Sequence, residues 1–224
     1  QSLTDADILF ENKELRSANS KSFYLTNGTM ISAIYDSPVH EQDEEGVWQE
    51  INNKLNDNGD IYENQDASVK IKFYKNPKSG KLYTLKADDY QITWGLNGVN
   101  KSAKEASKQS KQADESQSKL TADSESELIR YKDIMPGITF DYQITGYGMK
   151  ENIWLENSNT AKELSFSLKT NKLQVSKEDN KIIFRNGSGV VVYSMSAPYM
   201  MDADGISSDL ITLKLTGSKN HYSV

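Results

Sequence analysis

The chain has 224 residues, with 26 basic and 32 acidic side chains, a net charge of −6 and no cysteine. The negative charge opposes binding to a phosphate backbone, so we expect no nucleic-acid partner. Without cysteine, disulfides, thiolate nucleophiles and Cys-based zinc sites are excluded, and no apolar run approaches the roughly 20 residues of a membrane span.

The first hundred residues have the pattern of short β-strands separated by turns. Residues 22–26 and 29–35 flank Asn27-Gly28. This pair predicts a two-residue β-hairpin, because both residues tolerate positive φ. In residues 69–73 apolar side chains alternate with lysines, which predicts a strand with one buried and one solvent-facing side.

Residues 101–127 interrupt the strand pattern. The segment contains five lysines, six acidic residues, no aromatic residue and a single large apolar residue, Leu120. Such a segment buries too little surface to offset the entropy of ordering it. We therefore expect a polar insertion or linker, either a solvated helix or a disordered segment.

The β pattern resumes at residue 128 and continues to the last predicted strands, 209–215 and 221–224. Strands of this length at a spacing of about 8–12 residues, without helical periodicity, predict an all-β fold of β-sandwich architecture. Residues 1–100 and 128–224 form either two tandem modules or one composite domain. The final strand is short, so we expect a truncated segment of a longer polypeptide.

An internal repeat is also predicted, with an offset near 90 residues. Turn and strand residues of 63–98 can be laid beside those of 156–187. Chance agreement among such residues is the alternative explanation.

Motifs for catalysis and metal binding give no assignment. The acidic stretches 41–46, 56–60 and 202–205 do not follow a calcium-loop register and are interpreted as turns. His40 and His221 lack the partners of a metal set and are interpreted as surface or hydrogen-bonding residues. The sequence thus indicates no catalytic residue, no metal ligand and no cofactor, and we expect no enzymatic activity.

Aromatic residues suggest one binding chemistry. Trp48, Tyr147 and Trp154 are candidate carbohydrate-binding residues, because flat aromatic rings stack on the apolar faces of sugars. Trp94 and Trp154 also lie in step with apolar neighbours, which favours core packing. A carbohydrate-binding module would need two exposed rings side by side, and a glycoside hydrolase would need two facing carboxyl groups. Both remain alternatives.

A family resemblance rests on residues 129–142, which read IRYKDIMPGITFDY. This segment resembles a recurrent motif of large exported bacterial proteins, although Thr139 stands where the motif usually has Asp. Residues 16–23, 35–40 and 46–55 extend the resemblance. Together they are similar to the N-terminal region of Gram-positive wall-associated proteins with RHS/YD repeats, and of related cell-surface proteins with DNRLRE domains.

The resemblance implies a non-enzymatic presentation region of a large secreted or cell-wall-associated bacterial protein, with adhesion as an additional role. Its implied partners are neighbouring domains of the same polypeptide and cell-wall or host glycans. The family context also implies a variable, often toxic, C-terminal module elsewhere in the polypeptide.

Overall fold

A computed structural model describes residues 7–64, 67–110, 127–146 and 148–224. The described residues form β-strands and two short 3-10 helices, Lys13–Leu15 and Pro77–Ser79. The all-β prediction is therefore confirmed. Within the described ranges, no helix has the length and apolar character that crossing a membrane requires.

The strands carry the labels used below. In chain order they are β1 (Ile8–Glu11), β2 (Ser20–Leu25), β3 (Met30–Ile34), β4 (His40–Gln42), β5 (Trp48–Glu50), β6 (Asn56–Asn58), β7 (Ile61–Glu63), β8 (Val69–Tyr74), β9 (Tyr83–Ala87), β10 (Tyr90–Leu96), β11 (Ser107–Ser110), β12 (Glu127–Met135), β13 (Ile138–Thr145), β14 (Gly148–Leu155), β15 (Phe166–Asn171), β16 (Gln174–Glu178), β17 (Lys181–Arg185), β18 (Val191–Met195), β19 (Met200–Met201), β20 (Ser207–Ser208), β21 (Thr216–Ser218) and β22 (His221–Ser223).

The largest sheet has eight strands and draws on both halves of the chain. Its order is β21-β22-β15-β10-β9-β8-β7-β6. At its centre β10 pairs antiparallel with β15, so that Trp94 lies opposite Leu168. A sheet shared between residues 1–100 and 128–224 favours the composite-domain alternative, and the module boundaries stay a prediction.

A four-stranded sheet, in the order β11-β12-β13-β14, shares one core with the large sheet. The Phe73 and Tyr142 rings meet across the interface, with centroids 5.6 Å apart. The Tyr131 hydroxyl lies 2.8 Å from the Tyr74 carbonyl oxygen and 2.7 Å from that of Leu82. Because apolar and aromatic side chains of both inner faces interlock, the arrangement is a β-sandwich.

The start of the predicted insertion is β-structure and not helix. Strand β11 pairs with β12, and Ala106 beside it is buried. The Lys108 ammonium donates to the Glu127 carboxylate and to the Leu55 carbonyl oxygen, both at 2.8 Å. These polar contacts order a strand that has few apolar side chains of its own. Residues 111–126 lie outside the described residues.

Two three-stranded sheets flank the sandwich, β1-β2-β3 and β16-β17-β18, each followed by a separate two-stranded hairpin. The predicted hairpin around Asn27-Gly28 is confirmed by the pairing of β2 with β3. Of Asn27 and Gly28 only Gly28 has positive φ, at +81°, so the turn is not the two-residue type with positive φ at both positions that the sequence predicts.

The predicted strand at residues 209–215 is absent from the described structure. Asn180, in the turn between β16 and β17, donates to the Ile211 carbonyl oxygen at 2.7 Å and accepts from the Leu213 amide at 2.8 Å. Leu213 and Leu215, which alternate with polar residues in the sequence, nevertheless pack against the core. The Asn180 side-chain amide therefore forms the backbone hydrogen bonds that a neighbouring strand was expected to form.

Candidate functional site

The outer face of the sheet formed by β11 to β14 carries polar side chains in register. Arg130 on β12 lies opposite Asp141 on β13, which lies opposite Asn152 on β14. Thr139 and Trp154 form the neighbouring cross-strand pair on this face. Side chains alternate between the two faces of a strand, so the residues between them point into the core.

Asp141 organises this face. Its carboxylate accepts two hydrogen bonds from Arg130, Nε to Oδ1 at 2.7 Å and Nη2 to Oδ2 at 2.6 Å. The Trp154 indole Nε1 donates to the same Oδ2 at 2.7 Å. Asp141 is only 2 % exposed, whereas Trp154 is 58 % exposed. The indole is thus held in a fixed orientation while its ring faces solvent.

Arg130 pairs with Asp141, and Lys132 on β12 and Lys150 on β14 are exposed cationic side chains of the same sheet. Hydrogen bonding to Asp141 raises the pKa of Arg130, which stays charged at every physiological pH. A fixed, exposed indole ring is suited to stacking on a ligand with an apolar face.

The structure separates the predicted carbohydrate-binding residues. Trp48 lies on β5 in a two-stranded hairpin, half-buried, and Trp154 lies in the four-stranded sheet. Tyr147 lies outside the described residues. Trp94 is buried in the core as predicted, but the core position predicted for Trp154 is wrong. The core side of β14 is occupied by the alternate residues, which include Ile153, so Trp154 falls on the outer face.

Sequence reasoning missed a carboxyl group on the core side of β14. Glu151 lies opposite Tyr142, and burial raises the pKa of both groups, that of Tyr142 well above its usual range. Neither Glu151 Oε2 nor the Tyr142 hydroxyl has a hydrogen bond of standard geometry to the described residues, although the two side chains face each other. The position of Glu151 among polar neighbours in the sequence gave no signal of its burial.

A second cluster of ionisable side chains lies beneath the β4–β5 hairpin. Arg16 donates to both carboxylate oxygens of Glu11 at 2.7 Å, and His40 Nε2 lies 3.7 Å from this carboxylate. His40 Nδ1 is 2.7 Å from the Ser17 carbonyl oxygen, and burial lowers the pKa of its imidazole. Such groups serve acid–base chemistry where a substrate reaches them. Here His40 is fully shielded from solvent. Arg16 also donates to the Trp48 carbonyl oxygen, so the cluster connects the β4–β5 hairpin to the β1-β2-β3 sheet.

Comparison with known proteins identifies relatives in Gram-positive bacteria. The chain is 27 % identical over 216 residues to the tRNA nuclease WapA of Bacillus subtilis strain 168 and 26 % identical over 216 residues to the tRNA3(Ser)-specific nuclease WapA of Bacillus spizizenii. Each alignment covers 92 % of this chain and 9 % of the relative. A wall-associated protein of Geobacillus stearothermophilus is 24 % identical over 201 residues, which cover 85 % of this chain and 74 % of that protein. No family model and no solved structure matches the chain.

These relatives contradict two expectations from the sequence. We expected no enzymatic activity and no nucleic-acid partner, yet the Bacillus relatives are named tRNA nucleases. The expectation failed because the charge and motifs of one segment do not report the chemistry of a whole polypeptide. The RHS/YD repeats and DNRLRE domains implied by the resemblance stay predictions. The comparisons establish that the chain is similar to wall-associated proteins of Gram-positive bacteria and spans only 9 % of the length of its Bacillus relatives.

Proposed function

We propose that this chain is the presentation region of a longer, secreted, cell-wall-associated polypeptide that acts on tRNA. The observation that carries the proposal is the alignment of 85 % of this chain with 74 % of a protein named for its association with the wall. The tRNA activity is taken from the names of the Bacillus relatives and is proposed for the whole polypeptide.

The fold suits a region that spaces and orients its neighbours. One core connects the large sheet with the β11–β14 sheet. The cluster of Glu11, Arg16 and His40 joins the β1-β2-β3 sheet to the β4–β5 hairpin. Such connections limit internal motion, so neighbouring domains would be held at a defined separation. The proposed partners are these neighbouring domains and the glycans of the wall.

The wall part of the proposal is tested by fusing this chain to a fluorescent reporter and mixing the fusion with purified Gram-positive cell walls. We expect the fusion to sediment with the walls and the reporter alone to stay in the supernatant. Equal amounts of both in the supernatant would contradict wall association.

The tRNA part is tested separately on the full polypeptide. Incubation with a mixture of purified tRNAs should release fragments that denaturing gel electrophoresis resolves. If every tRNA stays intact under conditions where the polypeptide is folded, that part of the proposal is wrong.

A second candidate function is carbohydrate binding, and the outer-face indole favours it. Trp154 would stack on the apolar face of a sugar, with Asn152 and Thr139 positioned beside it for hydrogen bonds to hydroxyl groups. Trp48 and Tyr147 stay predicted contributors. The glycoside-hydrolase alternative gains no support from this face, because both oxygens of Asp141 are engaged by Arg130 and the indole.

A glycan array probed with the wild-type chain and the Trp154→Ala variant tests this candidate. We expect binding to wall glycans that the variant loses, while Val190→Ala, which removes another exposed apolar side chain, retains it. Binding that persists in Trp154→Ala would place the site elsewhere, and an absence of binding by the wild-type chain would exclude the function.

A further inference from the structure

The strand order repeats within the chain. The three-stranded sheet β1-β2-β3 is followed by the hairpins β4–β5 and β6–β7, and β6–β7 enters the large sheet. The sheet β16-β17-β18 is followed in the same way by β19–β20 and β21–β22, and β21–β22 enters the large sheet at its other end. The equivalent strands β4 and β19, β6 and β21, and β7 and β22 begin 160 residues apart. This spacing differs from the offset near 90 residues predicted from the sequence, which pairs β10 with β17 and stays a prediction.

The turns of the two copies agree in their hydrogen bonds. In the β4–β5 turn the Asp43 amide donates to the Val47 carbonyl oxygen at 3.0 Å, and Asp43 Oδ1 accepts from the Val47 amide at 2.9 Å. In the β19–β20 turn Asp202 and Ile206 form the same two bonds, at 3.0 and 2.9 Å. A turn of this type is common in hairpins. Its recurrence at the equivalent place in an ordered series of elements is what supports a repeat.

Side chains also recur at the spacing of 160 residues. Pro38 corresponds to Pro198 before the isolated hairpin, Leu55 to Leu215 before the strand that enters the large sheet, and Tyr62 to Tyr222 within it. Leu55 is buried, and Leu215 and Tyr222 pack against the same core. The two copies thus place the same side chains in the same structural positions.

The first copy is covered by the segment that follows it. Gly146 lies so close to Pro38 that a Cβ atom on this glycine would be 2.6 Å from the Pro38 carbonyl oxygen. The Gly146 carbonyl oxygen accepts from Asn53 Nδ2 at 3.2 Å. The Ser68 amide donates to both carboxylate oxygens of Glu41 at 3.2 Å. Ser68 and Gly146, from the segment that follows the first copy, therefore contact it at and beside its isolated hairpin.

The β19–β20 hairpin of the second copy carries exposed apolar side chains instead. Met201 takes the place of Glu41, and Met201, Tyr199, Ile206 and Leu210 are all exposed. Singly exposed apolar residues are ordinary on a protein surface, but a contiguous group marks an interaction site.

We infer that residues 174–223 are a second copy of the unit formed by residues 8–63, and that the exposed apolar side of its β19–β20 hairpin docks a further unit of the same polypeptide. This unit would be of the kind formed by the described residues between 64 and 173. The inference rests on the proposed function, because it requires the longer polypeptide, of which the matched segment is 9 % in the Bacillus relatives. An apolar contact replaces the polar one between Glu41 and Ser68, so the docked residues are apolar.

Thiol labelling tests the inference, because this chain contains no cysteine and an introduced thiol is the single reactive group within it. Met201→Cys and Leu210→Cys probe the docking surface. Ile34→Cys is the matched control, since Ile34 and Leu210 are 84 % and 88 % exposed. Maleimide labelling rates are compared between this chain and the natural polypeptide extended past Val224 by the length of residues 64–173.

We expect labelling at both probe positions to slow by at least about tenfold in the longer polypeptide, and labelling at Ile34→Cys to be unchanged. Equal rates at the probe positions would overturn the inference. If labelling of this chain slows with increasing protein concentration and sedimentation shows a dimer, the surface binds another molecule of the same chain. That result would also overturn the inference. Hydrogen exchange of the wild-type proteins measures protection of β19–β20 without any substitution. Since no wall material is used, failure of wall binding leaves this result unaffected.

Discussion

Replacing Asp141 by Ala should destabilise the β11–β14 sheet more than any other change on its outer face. The variant leaves the Arg130 guanidinium and the Trp154 indole without the carboxylate that accepts three hydrogen bonds. Removing one partner of a buried ion pair costs about 3–5 kcal/mol. The Arg130 side chain is 35 % exposed and regains water, so we expect a smaller loss, about 2–3 kcal/mol.

Urea unfolding followed by far-ultraviolet circular dichroism measures this loss, and Asp209→Ala, which removes an exposed carboxylate, serves as the control. A double-mutant cycle with Arg130→Ala isolates the pair, and the two losses should not be additive. Surface substitutions typically cost less than about 0.5 kcal/mol. A loss of that size in Asp141→Ala would refute the view that this carboxylate holds Arg130 and Trp154 in place.

Three further predictions test the core. Phe184→Ala removes a ring that is buried in the shared core and should cost about 3–5 kcal/mol in urea unfolding; a cost below about 1 kcal/mol would mean the ring contributes little. Gly95→Ala should lower the melting temperature sharply, because the new Cβ would lie 1.9 Å from the Gly80 carbonyl oxygen, and an unchanged melting temperature would refute this close approach. Burial raises the pKa of Glu151 above its ordinary 4.5, so the folded state takes up protons that the unfolded state has released and stability falls as pH rises above that value. Glu151→Gln should therefore be more stable than the wild type at pH 7 and lose this part of the pH dependence. A destabilised variant at pH 7 would contradict the view that burial disfavours the charged form of this carboxyl group.

Local patterns were sufficient to predict the strands that are buried on one side. Ile71 and Phe73 alternate with lysines in β8, and the structure buries both apolar side chains. Phe166 and Phe184 are likewise in the core. These positions follow from the two-residue period of a strand and its burial on one face.

Long-range partners decided the elements that the sequence did not predict. β11 is a strand because Lys108 reaches Glu127 and Leu55, and residues 209–215 lack a ladder because Asn180 bonds their backbone. The candidate site shows the same limit. The strand pattern placed Trp154 in a strand but assigned it to the core face, since Asp141 gives no sign in the sequence of being buried beneath the indole.

Deletion of the segment corresponding to this chain from the full polypeptide tests the central claim most directly. Bacteria producing the intact or the shortened polypeptide are separated into wall and medium fractions, and the polypeptide is quantified in each with an antibody against a region outside this chain. The presentation role predicts that the intact polypeptide is found mainly in the wall fraction and the shortened one mainly in the medium. Retention of the shortened polypeptide in the wall at the level of the intact one would contradict it.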